Sequence, residues 1–443
     1  MQNNNDGPAT QAPDASTADN TFHYSRAYAN YVLGVLFVVY VFNLVDRQVV
    51  SVLIGPIKEE FGASDAQMGL LIGFAFALLY SIAGIPIARW ADRSNRRSII
   101  ALGLAVWSAM TVASGLARSF TQLLIARIGV GLGEAAGTPP SHSLIADYFP
   151  LNKRATAIAI YTSGVFVGAS IAYLGGGYLR EHFDWRVAFY VLGIPGLLFA
   201  LVVRFTVREP PRGLSDAGAS EAGTSTLGET LRYLLGSRSW VYLITGTSLL
   251  SISGHGVLMW GYEFFFRVHD MTPFETGKWM ALIMGVGGIL GTIGGGRLTD
   301  RLIVKRPGMA IFGPGMVTLV GIPFGIVWLL ADQRWLSLLC LFPYYALLNS
   351  FVPMVYSVNQ SLAKTSMRAT ASAIVLFAVN IFGAGAGPFI VGAISDFFTP
   401  QYGHESLRYA LVVVTLAGIL GCGFLMLSSR HFAADLQRNK NGP

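Results

Sequence analysis

Four ionisable residues stand within apolar sequence: Asp46 and Arg47 in VFNLVDRQVVSVL, and Arg127 and Glu134 in ARIGVGLGEAAG. If those stretches cross a bilayer, each charge costs ~2.5–3.5 kcal/mol at mid-membrane on insertion scales, and more when unpaired. Four such charges need a chemical reason. Depth decides which can meet. Asp46 sits about ten residues, roughly 15 Å, before the outer end of its segment, and Arg127 about eight residues, roughly 12 Å, after the outer start of its own. The two are expected at one level, as an ion pair. Glu134, seven residues past Arg127, falls two helical turns deeper on the same face, near the midplane. A carboxyl paired with a guanidinium in one state and released into apolar surroundings in another changes its proton affinity. Asp46 therefore reads as a protonation switch, coupled to protons through Arg127, and Glu134 as a cavity-lining contact for substrate or a second proton. The alternative is a structural pair bolting two segments together, although small-residue packing would do that at lower cost.

The elements that must hold these residues follow from composition. Of 443 residues, 12% are charged and 53% hydrophobic. A soluble domain carries about 25% charge, so this chain must meet lipid. The net charge of +7 is spread in small groups between apolar runs, which points to membrane orientation and away from a nucleic-acid partner. Cys340 and Cys422 both lie inside apolar segments, which excludes a disulfide framework; no metal cluster and no cofactor are expected.

Stretches long enough to cross ~30 Å of hydrocarbon recur along the chain. They fall near 27–56, 65–90, 97–118, 119–148, 152–181, 185–206, 239–269, 273–298, 307–331, 334–363, 367–397 and 405–430. The expected fold is an all-α membrane protein of twelve transmembrane helices in two pseudo-symmetric six-helix bundles. Residues 1–22 read as a disordered polar tail, 23–206 as the N-terminal bundle, 207–238 as a cytoplasmic linker, 239–430 as the C-terminal bundle and 431–443 as a tail. With both termini in the cytoplasm, inner loops and tails hold 21 Lys and Arg, outer loops 8 and span interiors 2, an orientation set by the positive-inside rule. The expected location is a bacterial inner membrane.

The halves repeat. RATAIAI at 154–160 returns as RATASAI at 368–374, and the same offset puts Pro139 on Pro353. ARWADR (88–93) returns as GRLTDR (296–301), each followed by a basic pair. Two parallel repeats around a central pathway form a transporter design, since a site between them opens to either side when one half rocks against the other.

GIPIARWADRSNRR, between spans 2 and 3, resembles the cytoplasmic motif of the major facilitator superfamily. Its role follows from geometry: span 11 starts at the same surface, with unpaired N–H groups and the positive end of its dipole. Asp92, with Arg93 and Arg96, would latch the halves there in the outward-open state, and Asp300 with Arg301 would face the start of span 5 near Asn152 by pseudo-symmetry. The alternative is a pair of positive-inside turns with local salt bridges.

A closer resemblance, from about residue 40 to 213, is to the spinster branch. It rests on NLVDRQVVSVL, WADRSNRR, ARIGVGLGEA, LIADYF (144–149), DWRVAF (184–189) and above all VREPPRG (207–213). The resemblance implies a lysolipid- or sphingolipid-like substrate, and carries that branch's acidic site residues onto Asp46 and Glu134 and its span 4 arginine onto Arg127. The residues also favour an amphiphile. Glu134 and Arg127 fall on Leu348 and Leu341 in the second half, which offers aromatics instead, including Trp260, Tyr262 and Tyr356. A cavity charged on one wall, with Asn43 and Arg47 beside Glu134, and apolar on the other suits a head group with a tail; lipid-facing or packed aromatics are the alternative.

The expected function is proton-coupled secondary transport of an amphipathic organic substrate by a monomer in the bilayer. A carrier of drugs or small organic acids is the rival within the fold. An intramembrane lipid-modifying enzyme or a non-transporting sensor is the rival outside it. No nucleophile-elbow context surrounds Ser141, His142 and Asp147, so an enzyme is not expected. His255 could help titrate or be a satisfied polar residue.

Overall fold

The computed structural model describes residues 24–211 and 226–441, without the side chains of a few residues that include Asp92 and Asn152. The predicted tail 1–22 lies outside the described residues. Among those described there are helices and no strand.

Span 1 is α1 (Arg26–Val52), capped by Ser25, followed by a short α2 (Ile54–Phe61) that ends on Gly62 at φ 60°. Span 2 is α3 (Asp65–Ile72) and α4 (Phe74–Arg93), broken at Gly73. α5 (Arg96–Gly115) is span 3, and α6 (Phe120–Glu134) with α7 (Thr138–Tyr148) makes span 4. α8 (Leu151–His182) and α9 (Trp185–Thr206) complete the first bundle. After α10 (Leu227–Leu235) comes α11 (Arg238–His269), span 7. Span 8 is α12 (Pro273–Leu282), a π-helical turn over Ile283–Gly287, and α13 (Gly288–Lys305). α14 (Pro307–Leu330) is span 9, while α15 (Arg334–Leu348) and α16 (Phe351–Leu362) form span 10. Span 11 is α17 (Arg368–Ala378), a π-helical segment Val379–Ala386, and α18 (Gly387–Tyr402); α19 (Ser406–Asn441) is span 12.

Ten stretches are long and apolar enough to cross a membrane. One of them, Thr370–Gln437, at 68 residues holds both span 11 and span 12, and the divided span 4 is not among the ten. Serine, asparagine and threonine caps start many of the rods: Asn95 accepts from the Ser98 N–H, Ser119 from that of Gln122, and Thr272 from that of Glu275.

The chain returns after six spans to the face where it began, here termed the linker face. At the opposite, distal face the two bundles meet backbone to backbone. A Cβ at Gly69 of span 2 would come within 2.8 Å of Phe389 Cα in span 11, and one at Gly177 of span 5 within 2.6 Å of the Pro273 carbonyl in span 8. Only glycine permits such approach, and it lets van der Waals packing close the interface. At the linker face the corresponding segments are exposed, with Ile85 at 56%, Trp90 at 47%, Ile160 at 47% and Phe377 at 47%. The molecule is closed distally and open toward the linker.

The linker is more structured than a spacer. Glu209 of VREPPRG accepts from Arg96 Nε at 2.7 Å and from the Arg97 N–H at 2.9 Å, and the Tyr148 hydroxyl donates to the Arg208 carbonyl. Its far end is α10, started by a Thr226–Glu229 capping box, with Leu234 buried in the core of the second bundle. The Glu229 carboxyl is held below its usual value by the Thr226 N–H and hydroxyl. The expected tail from 431 continues as helix to Asn441.

Candidate functional site

Adjacent residues on a helix point about 100° apart, so Asp46 and Arg47 of α1 face different partners. Asp46, 3% exposed, accepts from Arg127 Nη1 at 2.9 Å and from the Thr111 hydroxyl, while Arg127 Nη2 reaches the Asp46 carbonyl at 3.2 Å. Spans 1, 3 and 4 are thus joined through one carboxylate. Arg47 turns to the other side. It donates Nη2 and Nε to Glu134 Oε2 at 2.8 and 3.2 Å and Nη2 to Asn43 Oδ1 at 3.3 Å, and its guanidinium lies 4.2 Å from the Phe76 ring centroid and 4.8 Å from that of Tyr80. Helical side chains lean toward the helix start, which carries Arg47 linker-ward to the deeper Glu134.

Exposure separates the two pairs. The Arg47 side chain keeps 21% of its surface in the middle of the bundle, which is surface on the opening between the halves. Glu134, expected on the cavity wall, is fully buried in this conformation, with Arg47 paired to it and keeping the exposed surface. Glu134 Oε1 is buried with no hydrogen-bond partner. Tyr40 and Tyr80 lie within electrostatic reach of Arg47, and Tyr356 of the second half within reach of Tyr40.

Trp260 and Tyr262 are also placed differently from the expectation of substrate contact. Both are fully buried: Trp260 Nε1 donates to the Pro388 carbonyl at 2.9 Å and the Tyr262 hydroxyl to the Pro273 carbonyl at 2.7 Å. They stand two and four residues past Leu258 toward the distal end of α11, and their bulk packs the second bundle beneath the distal closure. Arg96, expected beside the Asp92 latch, is engaged elsewhere in this linker-open state. It is 2% exposed and binds Asp147 at 2.5 Å and Glu209 at 2.7 Å, so it holds the first bundle to the linker. Arg93, Asp300 and Arg301 are exposed at the linker face, and the side chains of Asp92 and Asn152 lie outside the described residues.

One network escaped the sequence reading. At the distal face Asp65 accepts from Lys58 Nζ at 2.6 Å, from Arg267 Nη1 and Nη2 at 2.8 and 3.0 Å, and from the Ser395 hydroxyl at 2.7 Å. Arg267 also binds Glu263, which takes Arg180 from the first half at 3.0 Å. Asp396 of span 11 accepts the N–H groups of Asp65 and Ala66 at 2.9 and 2.8 Å, capping the start of span 2 from the other bundle. A vestibule of about 1380 Å³, lined in part by Lys58, Glu181, Glu263 and Arg267, opens beside this closure. In sequence Lys58 falls between spans and Asp65, Arg180, Glu263, Arg267 and Asp396 fall near span ends, where charges read as solvated. The available signal was Glu263 and Arg267 on one helical face at the end of an apolar span.

Among the described residues no group of His, Cys, Asp and Glu could hold a metal ion. The comparisons with known proteins decide the family. The family model of the Major Facilitator Superfamily matches residues 36–388. The chain belongs to the Major Facilitator Superfamily. Within the superfamily it is 32% identical over 413 residues to an MFS-type efflux pump of Mycolicibacterium smegmatis, covering 93% of this chain and 94% of that one. It is 26% identical to a sphingosine-1-phosphate transporter of Mus musculus, covering 89% of this chain and 76% of the relative. In structure it is similar to a bacterial homologue of the human lysosomal transporter Spinster in an inward-facing, unoccupied conformation, with a TM-score of 0.84 and 31% identity over 93% of this chain and 99% of that one. The spinster resemblance and the twelve-helix fold are thereby established. This major facilitator protein is an integral membrane transporter, and its relatives are transporters, not enzymes.

Proposed function

We propose that the protein is a proton-coupled carrier of an amphipathic, lysolipid-like organic anion, working by alternating access in a bacterial inner membrane with its linker face and both termini cytoplasmic. The observation that carries this reading is the buried, unpartnered Oε1 of Glu134 behind a guanidinium that reaches the cavity. An anionic head group arriving at Arg47 competes with Glu134 for the same donors. A carboxylate deprived of its guanidinium in a dry site takes up a proton, because burial disfavours its charged form. Substrate binding and protonation are then linked in one exchange. Asp46 and Arg127, joined to Thr111, supply the second pair that alternates between bound and released forms. The Mus musculus relative is described as moving sphingosine 1-phosphate, a single-tailed phosphate amphiphile, which is the class this wall suits.

Each charge moved across 100 mV supplies ~2.3 kcal/mol, enough for modest accumulation without ATP. The experiment is uptake into vesicles under an imposed pH gradient with a panel of lysophospholipids, sphingoid phosphates and amphipathic drugs. Gradient-driven movement of anionic single-tailed lipids, lost in Glu134→Gln and Asp46→Asn, is expected. A second reading, export of amphipathic drugs, is favoured by the name of the Mycolicibacterium relative, and drugs moving in place of lipids would select it.

A further inference from the structure

The second half has no counterpart of Arg127 or Glu134, yet one ionisable side chain of that half reaches the same central space. His255 lies on α11, half-buried, and its Nδ1 is 3.1 Å from the carbonyl oxygen of Ser251 one turn earlier. A carbonyl only accepts, so Nδ1 carries the proton and the neutral ring presents Nε2 as a bare lone pair. Among the described residues Nε2 has no hydrogen-bond partner and is not enclosed.

Height places this nitrogen. Gln48 Nε2 and the Tyr173 hydroxyl, both from the first half, donate to the Leu258 carbonyl of α11 at 3.5 and 2.6 Å, and there the pathway closes. His255 is three residues nearer the linker face on the same helix, ~4.5 Å below that closure. Arg47 immediately precedes Gln48 on α1. The guanidinium and the imidazole therefore flank the apex of the opening, one from each bundle, within electrostatic reach of each other.

The ring also has a built seat. The π-helical segment Val379–Ala386 runs beside it, and a Cβ at Gly383 would come within 2.8 Å of His255 Nδ1 and of Ser251 Cβ. Single π-turns inside α-helices occur often at functional sites. Of the groups facing His255 from neighbouring elements, Arg47 on α1 is charged, with Glu134 behind it, whereas Gly387, Val391 and Val414 of α18 and α19 pack against the adjacent Gly256.

We propose that His255 and Arg47 together form a two-sided seat for the anionic head of the substrate, with protonated Nε2 as the contact from the second bundle. The inference rests on the anionic amphiphile proposed above. An anion held by both bundles would favour their closing over it, and it would loosen Arg47 from Glu134 at the same moment. Phosphate, sulfate or carboxylate heads all fit this chemistry.

The test uses purified protein in phosphatidylcholine nanodiscs, titrated with oleoyl lysophosphatidate and with monooleoylglycerol, which has the same tail without the phosphate. Binding is measured at about pH 5.5 and about pH 8, either side of the ordinary histidine value. The lysophosphatidate's own titration cancels in the ratio of variant to wild type. His255→Gln is expected to weaken lysophosphatidate binding about tenfold at the lower pH and less than about twofold at the higher, the loss of one charge-assisted hydrogen bond, with monooleoylglycerol unaffected. His255→Lys, a fixed cation, is expected to keep tight binding at both pH values and serves if the glutamine variant fails to fold. Wild-type affinity in His255→Gln at the lower pH, with Arg47→Gln weakened, would refute the seat and leave the proposed function standing. Binding of neither lipid by the wild type would overturn both.

Discussion

Of the four charges in the first bundle, one pairing was readable in sequence and one was not. The level of Asp46 and Arg127 follows from counting residues to the segment ends, since helical rise is fixed. Sequence puts Arg47 and Glu134 on one wall of the cavity, but the bond between them depends on the lean of a long side chain, which counting does not give, and it leaves exposed surface on the base and none on the acid. The Asp46–Arg127 pair carries a prediction about stability. Arg127→Ala leaves a carboxylate buried at 3% exposure beside Thr111, at a cost of about 3–5 kcal/mol. Adding Asp46→Asn removes the charge and should restore most of that loss without restoring transport. Thermal unfolding and vesicle uptake of the two single variants and the double variant complete the cycle, and an uncorrected melting temperature in the double variant would count against the pair.

At the scale of elements, the apolar runs gave the twelve rods because hydropathy alone decides which segments enter lipid. What crosses between rods was hidden. The distal closure depends on which glycines face each other and on a carboxylate that caps a helix it does not belong to, neither of which is periodic in sequence. Asp396 accepts two N–H groups at the start of span 2, and these have no intrahelical acceptor. Asp396→Ala should weaken the distal closure by about 1–2 kcal/mol, the range for lost helix caps, and so raise the distal-open population about 5- to 30-fold. Spin labels on α2 and near Gly403 would report it as a longer distance component. The linker shows the same limit: VREPPRG reads as a Pro-rich spacer, yet its glutamate fastens to two consecutive arginines at the start of span 3.

For the whole molecule, spans 2 and 11 run in opposite directions, so each presents its helix start where the other can present an aspartate. Distally, Asp396 of span 11 caps the start of span 2. At the linker face, span 2 ends at Asp92 and Arg93, and span 11 begins at Arg368. The linker face is open here, so a latch at Asp92 belongs to the opposite state, in which span 11's unpaired N–H groups would meet it. If the two aspartates act as opposed latches, their removal shifts the same equilibrium in opposite senses. Asp92→Asn should enrich the linker-open form and Asp396→Asn the distal-open form. The two sites lie at opposite ends of the bundle without shared partners, so their effects should add and largely cancel in the double variant. Distances across both mouths, measured by spin labels in all four proteins, test this. A double variant that follows one parent alone would show that the latches do not act on a common rocking motion.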